Sequence, residues 1–437
     1  MQLPLTFQQQ WLWGFLQKHE DWNCSVAHAF RLKGELSLPM LQKSLEDVIR
    51  RHGSLRTRIV IVDGSPKQET DDPSAVDFDV TSVVSRSAQD SEERARRIFA
   101  EFADRTVDPA VGPLLRVQLL KLSDREHWLL IGLHRLTVDC FSAEQIFREL
   151  WSAYGEFSRN RSSPFKEEPA QYGEYAIWQH STSREWAKRH DGYWRDRLAG
   201  AMSLQWPADP TPATEPARAG NGRLGGLFGE ALSEGLRELA RRSRALLATV
   251  MLTVYVAVLR QWCAQRDFIV PFNIAGRQSE HKHIVGYFSH ILYLRMQITG
   301  DETFSELLSR VSMEFFRALT HQDFGRMALQ EPQLLAGTYF QWVTLHSQEA
   351  ASQLPAPEAN PSLAVERIPL REFGEGISAL PPGTIDVDLT LFDTPAGIYA
   401  GGWYRTDRFS AGTMERFLED LRATAERFVR SATDTAT

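Results

Sequence analysis

Apolar residues follow two rhythms along this chain. From Pro39 to Ile49 they recur at helical spacing, a turn follows at His52-Gly53, and the β-branched run Ile59 to Val62 reads as a strand. Leu114 to Leu122 and His127 to Leu133 are apolar runs of strand length, separated by Ser123-Asp124-Arg125-Glu126, the composition of a hairpin turn. The second run delivers the chain to His134. Ser142 then stands three residues before Gln145, a capping-box spacing, and Ile146, Phe147, Leu150, Trp151 and Tyr154 continue as a buried helical stripe. The segment 134–140 is therefore expected to join a strand to a helix.

In the second half, Leu246 to Leu259 is apolar almost all round and predicts a buried helix. Phe268 to Ile274 and Ile291 to Ile298 predict buried strands, with Val285-Gly286-Tyr287-Phe288 leading to the second. Ser410 to Val429, with Met414, Phe417, Leu418, Leu421 and Phe428 on one face, predicts an amphipathic helix. Two Pro/Gly-rich stretches, Pro207 to Gly226 and Leu354 to Gly383, predict a crossover and a long loop. No fixed-period repeat is present, and the mixed order of elements argues an α/β class built of α+β layers.

The chain has 437 residues, enough for two or three domains and a large core. Hydrophobic residues make up 43%, charged residues 24% and aromatics 11%, an ordinary globular composition. A net charge of −7, with both signs well mixed, gives no footprint for nucleic acid or for an anionic membrane. Cys24, Cys140 and Cys263 are far apart and form no CxxC pair, which fits a reduced, cytoplasmic setting; Cys24 and Cys263 are expected as small buried hydrophobes. The start, Met1-Gln2-Leu3-Pro4-Leu5, lacks the charged and apolar regions of an export signal, and no apolar run is long enough to span a bilayer.

Candidate chemistry concentrates in His134-Arg135-Leu136-Thr137-Val138-Asp139-Cys140. A guanidinium has five donors and no acceptor, so Arg135 cannot take a proton from an attacking group. Cys140 has no Cys-His-acid spacing around it and is expected to be an inert thiol rather than a nucleophile. His281-Lys282-His283 has the look of a metal pair without a third ligand, so a solvated loop is expected and no metal is assigned. Trp11, Trp13 and Trp22 are expected in the core. No Walker loop or GxGxxG occurs, and no cofactor is assigned.

These residues resemble the condensation domains of nonribosomal peptide synthetases over nearly the whole chain. The opening Leu5-Thr6-Phe7-Gln8-Gln9-Gln10-Trp11-Leu12-Trp13 is similar to the family's first motif, and Arg51-His52-Gly53-Ser54-Leu55-Arg56-Thr57 to its second. Tyr172-Gly173-Glu174-Tyr175-Ala176-Ile177-Trp178-Gln179 is similar to the fourth, Val285-Gly286-Tyr287-Phe288 through Leu294-Arg295 to the fifth, and His321-Gln322-Asp323-Phe324 to the sixth. The seventh has no counterpart, and Gln341 to Ser347 departs from the family's pattern. At the third motif the family carries His-His-x-x-x-Asp-Gly, and Arg135 and Cys140 replace its second His and its Gly. At the fifth, His290 replaces the Asn of Phe-Val-Asn-Thr.

The resemblance implies two lobes, each like a chloramphenicol acetyltransferase subunit, forming a V-shaped pseudo-dimer around a tunnel. The expected lobes are 1–185, carrying the altered loop, and 186–437, carrying the crossover and bridging loops. It further implies a buried structural ion pair between Asp139 and Arg295, a loop-structuring role for His134, and His290 as a possible displaced base. The expected partner is a peptidyl carrier protein whose phosphopantetheine arm holds a peptide.

A His-Arg start to this motif resembles the X-domain of glycopeptide antibiotic synthetases, whose usual Asp-Asp ending is Asp139-Cys140 here. That resemblance implies a catalytically inactive platform recruiting a cytochrome P450 oxygenase, or another tailoring enzyme such as a β-hydroxylase, to the carrier-bound peptide. The alternative is an active acyl or peptidyl transferase that works without a base, with Arg135 stabilising an oxyanion.

Overall fold

The computed structural model describes residues 2–19, 22–73, 78–207, 209, 220–322, 332–344, 363–368, 381 and 383–434. The chain divides into two compact units. One comprises Met1–Ser183, Arg277–Ser289 and, of the segment 347–375, the described strand Leu363–Ile368; the other comprises Arg184–Gly276, His290–His346 and Gly376–Thr437. The expected division placed everything after residue 186 in the second lobe. Two stretches of that half belong instead to the first unit, because each satisfies backbone or charge that the first half leaves open.

In the first unit a five-stranded sheet runs β12 (Leu363–Ile368), β2 (Ser25–Gly34), β7 (Glu126–His134), β6 (Leu115–Ser123) and β5 (Asp79–Ser82). β7 explains why its sequence reads as an unbroken apolar run. Leu129, Ile131 and Leu133 pack with Phe30 and Leu32 against α2 (Leu38–Arg51) and α4 (Cys140–Ser158), while Trp128 and Leu130 pack against Ala95 and Phe99 of α3 (Ala88–Asp104). Successive side chains point to opposite faces and both faces are covered, so no position alternates to polar. β6 and β7 form the expected antiparallel hairpin. A small sheet of β1 (Gln2–Pro4), β4 (Ser65–Thr70) and β3 (Thr57–Val62) stands beside α1 (Phe7–Leu16) in sequence. Trp22 is buried and Trp11 and Trp13 pack against the same aromatic core, as the composition predicts.

α4 begins earlier than its sequence pattern suggests. The capping-box spacing points to Ser142, yet Asp139 is the N-cap and its carboxylate accepts from the Ser142 backbone N–H at 2.8 Å. Gln145 is thereby freed to donate to Glu149 and to the His283 carbonyl. A charged acceptor at the helix N-terminus is the stronger cap, because the aligned peptide dipoles favour negative charge there.

The second unit is built on a six-stranded mixed sheet in the order β10 (His290–Gln297), β9 (Asp267–Ile274), β11 (Thr338–Thr344), β13 (Val387–Thr394), β14 (Gly397–Arg405), β8 (Asn221–Leu227). α6 (Glu230–Arg242), α7 (Leu247–Cys263), α8 (Phe304–Thr320) and α9 (Ala411–Asp434) accompany it, and α5 (Tyr172–Leu198) crosses the division between the units. α7 is the predicted buried helix and β9 and β10 are the predicted strands.

Part of the Pro207–Gly226 stretch lies outside the described residues, and its end is a strand rather than a crossover loop. Glycine makes that possible, since a Cβ on Gly222 would lie 2.1 Å from the Tyr404 ring that crosses it. The predicted loop 354–383 likewise contains β12, and most of its remainder lies outside the described residues. Among the described residues no single helix is long and apolar enough to cross a membrane.

Candidate functional site

The loop between β7 and α4 is held by backbone and side-chain hydrogen bonds from several elements. His134 ends β7 and is buried, its carbonyl accepting from the backbone N–H and the hydroxyl of Thr137. The Leu136 N–H donates to His134 Nδ1 at 3.2 Å, so in the neutral ring the proton sits on Nε2. Burial, with the cations Arg135 and Arg116 nearby, pushes its pKa down to about 3. His134 is therefore a neutral structural imidazole whose free lone pair is already used.

Arg135 is half-buried, and its backbone N–H donates to the Cys24 carbonyl at 2.9 Å. Its charge acts on Cys24 and Tyr287 as well as on His134. Cys24 is buried and its thiol is pushed up to about 12 by burial, which leaves it un-ionised. Cys140, the first residue of α4, is solvent-accessible, but the surrounding protein and the Asp139 carboxylate raise its thiol's pKa. Neither is disposed to act as a nucleophile at neutral pH.

Asp139 does not pair with Arg295. Its Oδ1 accepts from Arg277 Nη2 at 2.9 Å and from the Ser142 N–H, and its Oδ2 accepts from the Phe288 N–H at 3.0 Å. The Arg277 guanidinium also donates to Ser142 Oγ and to the Ile284 carbonyl, and lies over the Phe288 and Phe141 rings at 4.1 and 4.7 Å. Arg295 instead forms a two-pronged pair with Asp267 at 2.7 Å on the neighbouring strand β9, in the second unit. The correction has a geometric reason: strand register sets Arg295 opposite Ile269, two residues from Asp267, within reach of its carboxylate.

Gly286 completes the cradle. Its carbonyl accepts from Asp139 N–H and Ser142 Oγ–H, its own N–H donates to Ser142 Oγ, and a Cβ there would stand 2.1 Å from the Tyr172 ring. The Tyr172 hydroxyl donates to the Tyr287 carbonyl and meets Thr6 Oγ1 at 2.9 Å; Gln9 Nε2 donates to the Leu136 carbonyl at 2.9 Å. Three other stretches singled out in the sequence, 5–13, 172–179 and 285–288, thus meet around the loop 134–140. The second motif lies alongside, with His52 Nε2 2.6 Å from Glu149 and the Gly53 N–H donating to Gln171.

Other candidates fall elsewhere. His290 is the first residue of β10 in the second unit, opposite Ile274. His281 packs its ring against Tyr175 and Trp178, and the His283 carbonyl accepts from Gln145. His321 pairs with His190 in the second unit, while Asp323 and Phe324 of the same motif lie outside the described residues. Of the stretch 341–347, Gln341 lies in β11 and donates to Asp388, and residues beyond 344 are outside the described set. Among the described residues no cluster of three His, Cys, Asp or Glu side chains gathers for a metal.

Sequence reading missed two groups. Arg277 follows β9 in a segment without periodicity, and nothing near it marks it as the partner of a residue 138 positions away. The His28–Arg367–Glu144 set joins β2, β12 and α4; burial and the Arg367 charge force His28 well below the usual histidine range. A polar residue inside the apolar β2 run was the available signal.

The Condensation domain family matches residues 1–436. A linear gramicidin synthase of Brevibacillus parabrevis is 29% identical over 437 residues, which cover 96% of this chain and 5% of that protein. The chain thus spans about one-twentieth of that relative's length. Among solved structures, the X-domain from teicoplanin biosynthesis superposes with a TM-score of 0.78 at 24% identity, over 98% of this chain and 95% of that one. The complex of the X-domain and OxyB from teicoplanin biosynthesis gives 0.78 at 23%, over 98% and 94%. At these identities the solved structures share the fold.

Proposed function

For a chain that belongs to the condensation-domain family, and whose central loop holds Arg135 at the second position of the motif, we propose a catalytically silent role: a platform that seats a tailoring oxygenase, a cytochrome P450, beside a peptide held on a carrier protein. One observation carries the reading. The loop from His134 to Cys140 offers no group able to accept a proton near neutral pH: His134 spends its lone pair on Leu136 and resists protonation to about 3, Arg135 is a permanent cation, and Asp139 is occupied by three donors. Amide formation from a thioester needs a neutral amine and an acceptor for its proton. A fixed guanidinium also disfavours the approach of an ammonium group.

The scaffold around this loop is intact while its chemistry is not, which suits a binding role. The teicoplanin X-domain has been solved in complex with OxyB, which makes an oxygenase partner the natural choice for this chain. The test is a single-turnover assay with a carrier-loaded donor and an amine acceptor, run beside binding of loaded carrier to candidate P450 enzymes. The wild-type chain is expected to form no amide above background and to bind an oxygenase. The double variant Arg135→His, Cys140→Gly, which rebuilds the family motif, is expected to gain amide product. Wild-type turnover that is abolished by Arg135→Ala would replace this reading with that of an active transferase.

A further inference from the structure

Outside the loop, the second unit carries a cationic hollow with apolar walls. It is about 610 Å³ and is formed by the α6–α7 turn and the outer face of α8, with Arg244, Met313, Phe316 and Arg317 among its lining residues. Met313 and Phe316 are 50% and 48% exposed, and Leu246 on the adjoining turn is 49% exposed. Among the described residues no carboxylate lines it.

Two features set this surface apart. Neighbouring arginines are neutralised: Arg237 by Asp393, Arg241 and Arg242 by Glu238, Arg310 by Glu302. Arg244 and Arg317 have no ion-pair partner among the described residues. Arg244 is also held at a backbone φ of 51°, one residue past the cap of α6, where Ala245 N–H returns to the Ala240 carbonyl and Arg244 N–H to that of Arg241. That is the left-handed position of a Schellman turn, which glycine fills at least cost. A long cationic side chain is kept where the backbone would favour none, beside exposed apolar side chains, on a chain whose net charge is −7.

We propose that this face is the docking surface for the recruited enzyme, which presents an acidic helix with a protruding apolar side chain. The inference rests on the platform role above and deepens it. The helix lies along α8, its carboxylates meet Arg244 and Arg317, and its apolar side chain enters the hollow over Met313 and Phe316. A side chain seated in a hollow between two guanidinium groups makes a long-lived contact, as a resident enzyme requires; a carrier must leave once its cargo is passed on.

Titration calorimetry of the full chain with candidate P450 enzymes, and separately with loaded carrier, at about 0.1 M salt tests this. Arg244→Glu with Arg317→Glu is expected to weaken oxygenase binding at least ~10-fold and to leave carrier binding unchanged. Arg244→Gly is expected to weaken it about 3-fold while leaving the melting temperature equal or higher, because glycine suits that backbone. If an oxygenase binds the wild type and the charge-reversed chain equally, the docking surface is overturned and the platform role stands. If carrier binding falls instead, the surface serves the carrier and the proposal fails. If no oxygenase binds the wild type, both readings fall together.

Discussion

Two arginine–aspartate pairs, Arg277–Asp139 and Arg295–Asp267, share chemistry and differ in everything that sets their worth. In the first, the side chains are 5% and 2% exposed and every Asp139 lone pair in use has a named donor. In the second, Arg295 is 13% exposed but Asp267 is 43% exposed, and water competes for its carboxylate. The hydrogen bond from Arg295 holds the Asp267 carboxyl below the usual carboxylate range, the ordinary behaviour of an exposed pair. The comparison teaches that a buried pair acts as a cornerstone because removing one half strands the other in low dielectric, whereas a surface pair is largely replaceable by solvent.

The contrast can be broken most directly at Arg277. Arg277→Ala is expected to destabilise the first unit by ~3–5 kcal/mol, read as the loss in urea midpoint at unchanged slope, because the buried Asp139 carboxyl loses its ion-pair partner. A loss below 1 kcal/mol would put the two pairs in one class. Gly286→Ala tests the same cradle through packing: the new methyl meets the Tyr172 ring, and a loss of ~1–3 kcal/mol is expected, with Tyr172→Phe giving less because only its hydroxyl bonds go. Arg295→Ala should cost ~1–2 kcal/mol, mainly from its bonds to the Arg197 and Ala199 carbonyls, and the loss should shrink little with salt.

The smallest signal concerns His134. Its folded pKa lies below the unfolded value, so at neutral pH it is uncharged in both states and imposes no penalty. As pH falls through ~6.5 the unfolded chain takes up a proton that the folded ring refuses until about 3, and stability declines across that window. Carbon–proton NMR of the His134 ring should show no titration between pH 8 and 4.5. A midpoint near 6 would show an accessible base in the loop.

Much of the first unit was legible from local pattern. The β6–β7 hairpin, the strand-to-helix junction at 134–140 and the buried stripe of α4 follow from periodicity because both faces of β7 are covered. The partner of Asp139 was not legible. Its identity depends on where the chain passes after β9, and the resemblance pointed to Arg295, which lies one strand further on. Strands within Gly- and Pro-rich stretches were missed for a related reason: β8 uses glycine to admit the Tyr404 ring, a tertiary demand that composition reads as looseness. At the site, the chemical deficit at Arg135 was visible in the residue itself, while the tautomer of His134 became visible only from the Leu136 N–H.

β12 closes the open edge of β2 with a register that sets Leu363 opposite Gly34. A ribosome adding ~5–20 residues per second reaches Leu363 roughly 15–70 s after Gly34. Through that interval the nascent first unit keeps a bare strand edge at β2, the kind of surface that pairs with other chains unless it is covered. Completion of the first unit is thus timed by synthesis: its sheet is sealed by a strand that emerges long after the strand it pairs with.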